Sequence, residues 1–279
     1  MADPTLQVFG DPRRHQNISD IIRRHSTNRA DVRDVFLAGL DLSRVKEVLD
    51  LGCGFGFTTQ ALAPRLAPDA AIVGVDACAR NEAPFLETVS RSARRARFVH
   101  RRLEKRLDWP DRSFDLVVAS YALYFFPQLL PEMARVLRPD GLLLAVTHTE
   151  ASCRDLLRAA GLVLKRSPLL GVIQRFSAEN ADQLLRPHFG AIERVDYVNQ
   201  LVFQADEFDD FLTYLRFKLP LLLPDSEPGG ELPRPLADAI RKALAGRAAI
   251  SFQKDDAAFR CRGPRCHQRL GSARNAPSR

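Results

Sequence analysis

From residue 45 to residue 148 the chain alternates short runs of β-branched and other apolar residues with stretches of helical period. Runs at 45–50, 71–75, 97–100 and 115–120 read as strands, and a fifth at 142–148 follows the turn signal Pro139-Asp140-Gly141. Between them, 55–66 and 83–93 read as helices. So does 129–137, through Leu129, Leu130, Met133, Val136 and Leu137. Pro64 falls near the end of the first of these, so that helix is expected to stop early. The early strands are almost continuously apolar, as strands covered on both faces are, and the alternation predicts a parallel sheet. Upstream, 28–40 predicts an amphipathic helix with Val32, Val35, Phe36 and Leu40 on one side. Downstream, the pattern predicts helices at 152–160, 207–217 and 235–245, one long strand at 192–202 and a short last strand at 257–261. The Pro- and Gly-rich stretch 220–235 reads as a loop.

Candidate chemistry begins with Val48-Leu49-Asp50-Leu51-Gly52-Cys53-Gly54-Phe55-Gly56-Phe57, a strand that enters a glycine-rich turn and then a helix. Such a turn lets a ligand approach the backbone closely. The helix beyond it offers unpaired N–H groups to an anionic part of that ligand. A tight structural turn would look the same. The pattern is G-x-G-x-G: Phe57 stands where a dinucleotide fingerprint needs its third glycine, and no Lys-Ser or Lys-Thr pair follows to make a P-loop. Asp76 ends the run Ile72-Val73-Gly74-Val75-Asp76 and suits either ribose hydroxyls or a cap on the next helix; the preceding glycine turn favours ribose. Two further segments complete the set. They are Leu107-Asp108-Trp109-Pro110-Asp111-Arg112-Ser113-Phe114-Asp115-Leu116-Val117-Val118-Ala119-Ser120 and Leu137-Arg138-Pro139-Asp140-Gly141-Leu142-Leu143-Leu144.

In this order and spacing, the four segments resemble the class I S-adenosylmethionine-dependent methyltransferase family, small-molecule type, over about residues 45–148. The resemblance implies an α/β fold: a seven-stranded Rossmann-like sheet, mostly parallel with an antiparallel last strand, helices on both faces and a helical insertion before that strand. It also implies an enzyme that transfers the methyl group of S-adenosylmethionine, its cofactor, to a small organic acceptor by in-line displacement, giving S-adenosylhomocysteine. Gly52, Cys53 and Gly54 would then pass their backbone under the methionine moiety, with Asp50 supporting the turn and Gly56 completing it. Asp76 would hold the ribose, Ala77 would pack beside the adenine, and Ser120 would meet the methionine amino group through its backbone. The family's acidic residue for the adenine amino group falls at Leu103, with Glu104 next to it. Glu104 serves after a one-residue shift, or is an ordinary surface charge while backbone atoms read the adenine.

Tyr121 and Tyr124 follow the fourth strand on the acceptor side, and His148 ends the fifth at the C-terminal rim of the sheet. Tyr124 and His148 are the candidate catalytic groups, and Tyr121, Tyr124 and Tyr214 the candidate acceptor contacts. For any single one of them, packing or an ordinary rim hydrogen bond is the better reading. A base is required only where the acceptor must lose a proton; orientation supplies much of the rate. Tyr214 lies in the apolar segment 211–223, which reads as core plus a partial lid, with a homodimer contact left open.

Composition narrows the alternatives. The net charge is +7, but six arginines (260, 262, 265, 269, 274 and 279) lie in the last twenty residues, so the body is near neutral. That disfavours a nucleic-acid surface. After the fourth strand the sequence reads Ser120-Tyr121-Ala122-Leu123 and not the Asn/Asp-Pro-Pro-Tyr of many amino methyltransferases of nucleic acids. An RNA methyltransferase stays as one alternative and a non-catalytic S-adenosylmethionine-binding regulator as another. Phe57 disfavours an NAD-dependent oxidoreductase. The five cysteines are odd in number and scattered, and Cys261, Cys266 and His267 match no zinc spacing, so reduced thiols and no metal are expected. No apolar run approaches the ~20 residues that span a bilayer, and the first twenty residues lack an apolar signal core. No membrane association and a cytoplasmic location are therefore expected. The organisation expected is a helical segment over 1–44, a binding core over 45–150, a C-terminal part over 151–262 with an insertion at about 206–250, and a disordered basic tail over 263–279.

Overall fold

The computed structural model describes residues 8–9, 11–92, 94–159, 168–222 and 234–265. The chain enters through α1 (Pro12–His25), capped by Asp11, whose carboxylate accepts from the N–H groups of Arg13 and Arg14. A short α2 (Val32–Leu37) follows. Then come β1 (Glu47–Leu51), α3 (Phe57–Leu62), β2 (Ala71–Asp76), α4 (Glu82–Ser90), β3 (Arg95–His100), β4 (Phe114–Ser120), α5 (Leu130–Val136) and β5 (Leu137–His148). Beyond β5 lie α6 (Glu150–Ala159), α7 (Pro168–Ile173), α8 (Ala181–Leu185), β6 (Phe189–Tyr197) and β7 (Gln200–Gln204). The described chain ends with α9 (Phe208–Leu222), α10 (Arg234–Leu244), β8 (Ala249–Gln253) and β9 (Asp256–Pro264).

Seven strands form one sheet in the order β3-β2-β1-β4-β5-β9-β6. The first five pair in parallel, and β9 runs antiparallel to both β5 and β6. This is the predicted sheet, with the antiparallel last strand and the helical insertion before it. Side chains alternate across a strand, so β1 feeds two cores. Val48 joins Phe36, Leu62 and Phe85 on one face, while Leu49 and Leu51 join Met133, Leu143 and Phe259 on the other. Each such fully buried side chain contributes about 1.5–3 kcal/mol, and helices on both faces are what cover these residues.

Several expectations are corrected. The helix read over 28–40 shrinks to α2, because Asp31 caps it from inside that range and Gly39, at φ +75°, closes it. The α1 helix was not expected: only Ile18, Ile21 and His25 of it are buried, too sparse an apolar stripe to read among its arginines. The single strand over 192–202 is two strands in different sheets. Its break falls at Asn199, whose N–H turns to the Asp255 carboxylate at 2.7 Å, and β7 pairs instead with the unpredicted β8. The Pro139-Asp140-Gly141 signal marks a bulge within β5 and not a turn before it: pairing with β4 jumps from Phe114↔Leu137 to Leu116↔Leu142. The α9 helix runs through Pro220 to Leu222, so the first three residues of the expected loop are helical; 223–233 lie outside the described residues. The last strand extends to Pro264, which moves Arg260 and Arg262 from a tail into the sheet. The rest of the expected tail, with Cys266 and His267, lies outside the described residues from 266 onward. Pro64 acts as expected: α3 stops at Leu62 and Pro64 sits in a 3-10 turn. Among the described residues no helix is long and apolar enough to cross a membrane.

Candidate functional site

The C-terminal ends of β1, β2, β4 and β5 open into one cleft of about 1020 Å³, where parallel α/β sheets place their ligands. Pockets for single small ligands run to about 1,000 Å³, so this one has room for a nucleoside-sized molecule and a smaller second one. The glycine turn, Asp76, Ala77 and Leu103 line one end. Tyr121, Tyr124 and His148 line the other, with His15 from α1, Phe217 and Lys218 from α9, and Lys254 and Asp256 from the β8–β9 turn.

At the first end, Gly52, Gly54 and Gly56 have φ of +71°, +52° and +90°. Their roles differ. A Cβ on Gly52 would come within 2.5 Å of the Ala122 Cβ, whereas one on Gly54 would meet nothing within 4 Å. The space above Gly54 is open cleft, a cradle that any side chain would fill. The Gly54 N–H donates to Asp76 Oδ2 at 2.9 Å, tying the turn to the end of β2. Asp76 Oδ1 accepts from the Cys78 N–H at 2.8 Å and from Asn81 Nδ2 at 3.1 Å. A carboxylate has about four acceptor sites, so Asp76 serves as a local cap and still keeps capacity for a ligand.

Asp50 lies beneath the turn, 2% exposed, and accepts from Thr59 Oγ1 at 2.5 Å. Burial pushes its carboxyl up to about 7, against the Thr59 hydrogen bond, and the nearby Asp76 charge adds to the rise. Cys53 is buried, which pushes its thiol well up. Thr58 Oγ1 donates to Ser120 Oγ at 2.7 Å, joining the start of α3 to the end of β4. The Ala77 carbonyl meets His100 Nε2 at 3.1 Å. Glu104 does not reach the site. Its side chain is exposed, its carbonyl is held by Gln128 Nε2 at 2.8 Å, and Leu103 takes the place on the wall.

The second end holds a network that sequence reasoning found only in part. His148 Nδ1 lies 2.6 Å from Asp256 Oδ1, Lys254 Nζ lies 2.8 Å from both Asp256 oxygens, and the Tyr121 hydroxyl donates to Asp256 Oδ2 at 3.0 Å. The Tyr121 ring stacks on His148 with centroids 4.7 Å apart, and Tyr124 lies parallel at 6.2 Å. Tyr121 sits at φ +54°, a left-handed conformation that costs a non-glycine residue of order 1 kcal/mol. Its N–H is held by the Val146 carbonyl at 2.9 Å.

Burial alone would push the Asp256 carboxyl up; Lys254 and His148 overrule it and hold it at about 2. Burial, aided by the Lys254 charge and opposed by Asp256, takes His148 down to about 4, so its ring is neutral near pH 7. An ionised carboxylate at this distance fixes the proton on Nδ1. Nε2 is left as a lone pair, with no partner among the described residues. Burial raises both Tyr121 and Tyr124, which stay protonated.

Lys254, Asp256 and Lys218 were missed. The available signal was the charged triplet Lys254-Asp255-Asp256 running straight into a buried apolar strand. Tyr214 is not at the cleft: it is 2% exposed and packs on Phe252 at 5.9 Å, while Phe217 and Lys218, one turn further along α9, face the cavity. Among the described residues no group of three or more His, Cys, Asp or Glu side chains is placed to hold a metal ion.

Residues 48–141 match the methyltransferase-domain family. Trans-aconitate 2-methyltransferase of Variovorax paradoxus (strain S110) is 34% identical over 128 residues, 44% of this chain and 46% of that protein. The chain thus spans less than half the length of the curated relatives it matches. A solved S-adenosylmethionine-dependent methyltransferase from Geobacter sulfurreducens, in complex with S-adenosyl-L-homocysteine, superposes with a TM-score of 0.51. It is 18% identical, and the likeness covers 92% of this chain and all of that one. The [4+2]-cyclase SpnF superposes at 0.52 with 15% identity, over 92% of this chain and 97% of its own. These two likenesses show the fold, under names of different activity. The sheet order, the glycine turn and the matched segment agree: over residues 48–141 the chain matches a methyltransferase domain, set in a sheet of the class I S-adenosylmethionine-dependent type.

Proposed function

We propose that this protein binds S-adenosylmethionine across its glycine turn and transfers the methyl group to a small organic acceptor resting against Tyr121, Tyr124 and His148. The observation that carries this reading is the continuity of the cleft. The open cradle over Gly54 and the network around Asp256 lie in the same cavity.

The residues present fit the cofactor. Backbone at Gly52, Cys53, Gly54 and Gly56, supported by Asp50, would hold the methionine part, with Ser120 beside it. Asp76, whose carboxylate keeps acceptor capacity, would hold the ribose, and Ala77 and Leu103 would flank the adenine. When bound, S-adenosylmethionine supplies a methyl group on a sulfonium, already activated for displacement. The chain's own residues must then orient the acceptor, exclude water and take up a proton where the acceptor carries one. His148 Nε2 has the lone pair for that last task, and Asp256 positions the ring by holding the Nδ1 proton. Tyr124, protonated and buried, forms part of the acceptor wall.

The acceptor named for the Variovorax relative is trans-aconitate. His148, Lys218, Lys254 and Asp256 fall beyond the family match at 48–141, and the Variovorax likeness covers 44% of this chain, so neither by itself defines the acceptor here. Isothermal titration with S-adenosylmethionine, S-adenosylhomocysteine and NADH tests the cofactor. Micromolar binding of the first two and none of NADH is expected; binding of NADH alone would overturn the reading. Release of S-adenosylhomocysteine in the presence of a panel of small acceptors then separates an enzyme from a protein that only binds.

A further inference from the structure

Lys254 and Lys218 both reach the acceptor end of the cleft, where Asp256 is the carboxylate at hand. Lys254 is already satisfied, since both Asp256 oxygens lie 2.8 Å from its Nζ. Lys218 is not. Among the described residues it has no carboxylate within ion-pair distance, and its ammonium sits against rings, 5.7 Å from the centroid of Phe217 and 5.9 Å from that of Tyr214. The charge acts inside the site: it helps to depress both His15 and His148, which line the same cavity. Lys218 is itself pushed down to about 8 by burial and by the Lys254 charge. A lysine whose only task was to carry its charge into bulk water would bury its stem and keep its head outside. This one spends its charge next to a neutral histidine.

The surplus is local. The other cations along the cleft are mostly paired: Arg23 with Asp20, Arg33 with Asp31, Arg91 with Glu87 and Arg101 with Asp108. Arg29 and Arg175, both exposed, also line the cleft without an ion pair among the described residues, but their heads are in water. A cation withdrawn from water without a counter-charge is unfavourable, and an anion entering beside it relieves that cost. Close to Lys218 the walls are aromatic. Phe9 meets Phe217 at 5.8 Å and Phe125 at 6.0 Å, and His15 stacks on Phe217 at 5.7 Å.

We propose that the acceptor site is built for a carboxylate carried on a small, largely apolar or unsaturated body, with the carboxylate received by Lys218. The assignment deepens the methyltransferase reading, since it names the class of acceptor for the same cleft. It covers a carboxylate that is itself methylated and one that anchors the molecule while another group is.

The test compares matched acid and amide pairs. Trans-cinnamate, 4-hydroxybenzoate and trans-aconitate, with their uncharged amides, are titrated calorimetrically into protein saturated with S-adenosylhomocysteine. At least one acid is expected to bind ten-fold or more tightly than its amide. That preference should fall to within two-fold in Lys218→Met and return in part in Lys218→Arg, with S-adenosylhomocysteine affinity unchanged in both variants. Equal binding of acid and amide, a preference that survives Lys218→Met, or binding of none of the acids would overturn the assignment. Should S-adenosylhomocysteine itself fail to bind, the cofactor reading falls. The same acid–amide comparison on the protein alone then still decides the role of Lys218.

Discussion

His148 and Asp256 are direct cross-strand partners, one ending β5 and the other beginning β9, and their side chains meet at 2.6 Å across 108 residues of sequence. The backbone register therefore places the carboxylate beside Nδ1 and leaves Nε2 for the cleft. For an acceptor that must lose a proton, His148→Gln is expected to lower kcat by ~10²-fold or more, the usual worth of a positioned base. Asp256→Asn should lower it less, through a mispositioned ring, with S-adenosylhomocysteine affinity unchanged in both. Because removing Asp256 strands Lys254, the charge-neutral double variant Lys254→Met/Asp256→Asn separates folding from catalysis. The sign with pH follows from His148 lying at about 4: kcat should be flat above about pH 5.5 and fall as the ring protonates below it. A limb centred above pH 7 would assign the proton transfer to another group.

Asp50 gives a stability prediction of opposite sign to most carboxylates. Its folded value, about 7, lies above that of an unfolded Asp, so the native state holds a proton that the unfolded chain has released between about pH 4 and 7. The stabilising contribution is complete below about pH 4 and is lost as pH rises through 7. Asp50→Asn should therefore stabilise the ligand-free protein at pH 8 by roughly 2–4 kcal/mol and leave it unchanged near pH 4. Urea unfolding at the two values checks this; a loss of stability at pH 8 would mean that the carboxylate has a compensating partner.

The glycine turn separates two effects that sequence alone merges. Gly52→Ala drives a Cβ into Ala122 at 2.5 Å from a left-handed backbone, so it should cost about 2–4 kcal/mol of fold stability. Gly54→Ala meets no protein atom within 4 Å. Its cost to the fold should be about 1 kcal/mol, while cofactor affinity falls ten-fold or more because the methyl group enters the cradle. Thermal melts beside calorimetry distinguish the two; equal losses of stability would refute the division.

Asp76→Ala should weaken S-adenosylmethionine binding by about 1–3 kcal/mol through lost charge-assisted hydrogen bonds. The structure adds a complication: Asp76 also holds the Gly54 N–H and the Cys78 N–H. The two donors sit on different oxygens, so Asp76→Asn keeps an acceptor for only one of them; it is the milder variant, and its melting temperature is measured beside its affinity. If it binds S-adenosylmethionine as tightly as the wild type, the ribose role is wrong.

What could be read from sequence follows the range of the interactions. The β1 and β2 strands, the glycine turn and Asp76 lie within thirty residues and carry local signals: apolar runs, positive-φ glycines and an acid at a strand end. The other end of the cleft is assembled from Tyr121, His148, Lys218 and Asp256, whose neighbours are fixed by strand order and by the docking of α9, which no local pattern encodes. Position along β5 sufficed to nominate His148, but its partner could not be named until β9 was seen to insert beside β5. Tyr214 and Lys218 are four residues apart on α9, and only the packing of that helix on Phe252 decides which of them faces the cavity. Glu104 failed for the same reason, since one step along an irregular loop turns a side chain from wall to solvent.

Arg260 shows the same limit and yields the last prediction. Counted by composition it joins a basic tail; in the fold it is 7% exposed within β9. Its guanidinium donates through Nε and Nη2 to the Phe36 carbonyl at 3.2 and 3.0 Å, through Nη2 to the Ala38 carbonyl at 2.7 Å, and through Nη1 to Glu193 at 3.0 Å. The two carbonyls belong to the C-terminal turn of α2, where helix acceptors lack partners of their own. A planar fork of fixed donors matches them, so the residue fastens the N-terminal segment to the far side of the sheet. Arg260→Met leaves those carbonyls without donors and should cost about 2–4 kcal/mol in urea unfolding. The exposed Glu193 contributes little to that figure. Arg260→Lys should recover less than half, because an ammonium cannot span both acceptors in the same plane. Arg260 does not line the cleft, so S-adenosylhomocysteine affinity at low temperature should stay within two-fold of wild type. A ten-fold loss of affinity in folded Arg260→Met would mean that α2 transmits strain to the glycine turn, and the fastening would then count as part of the site.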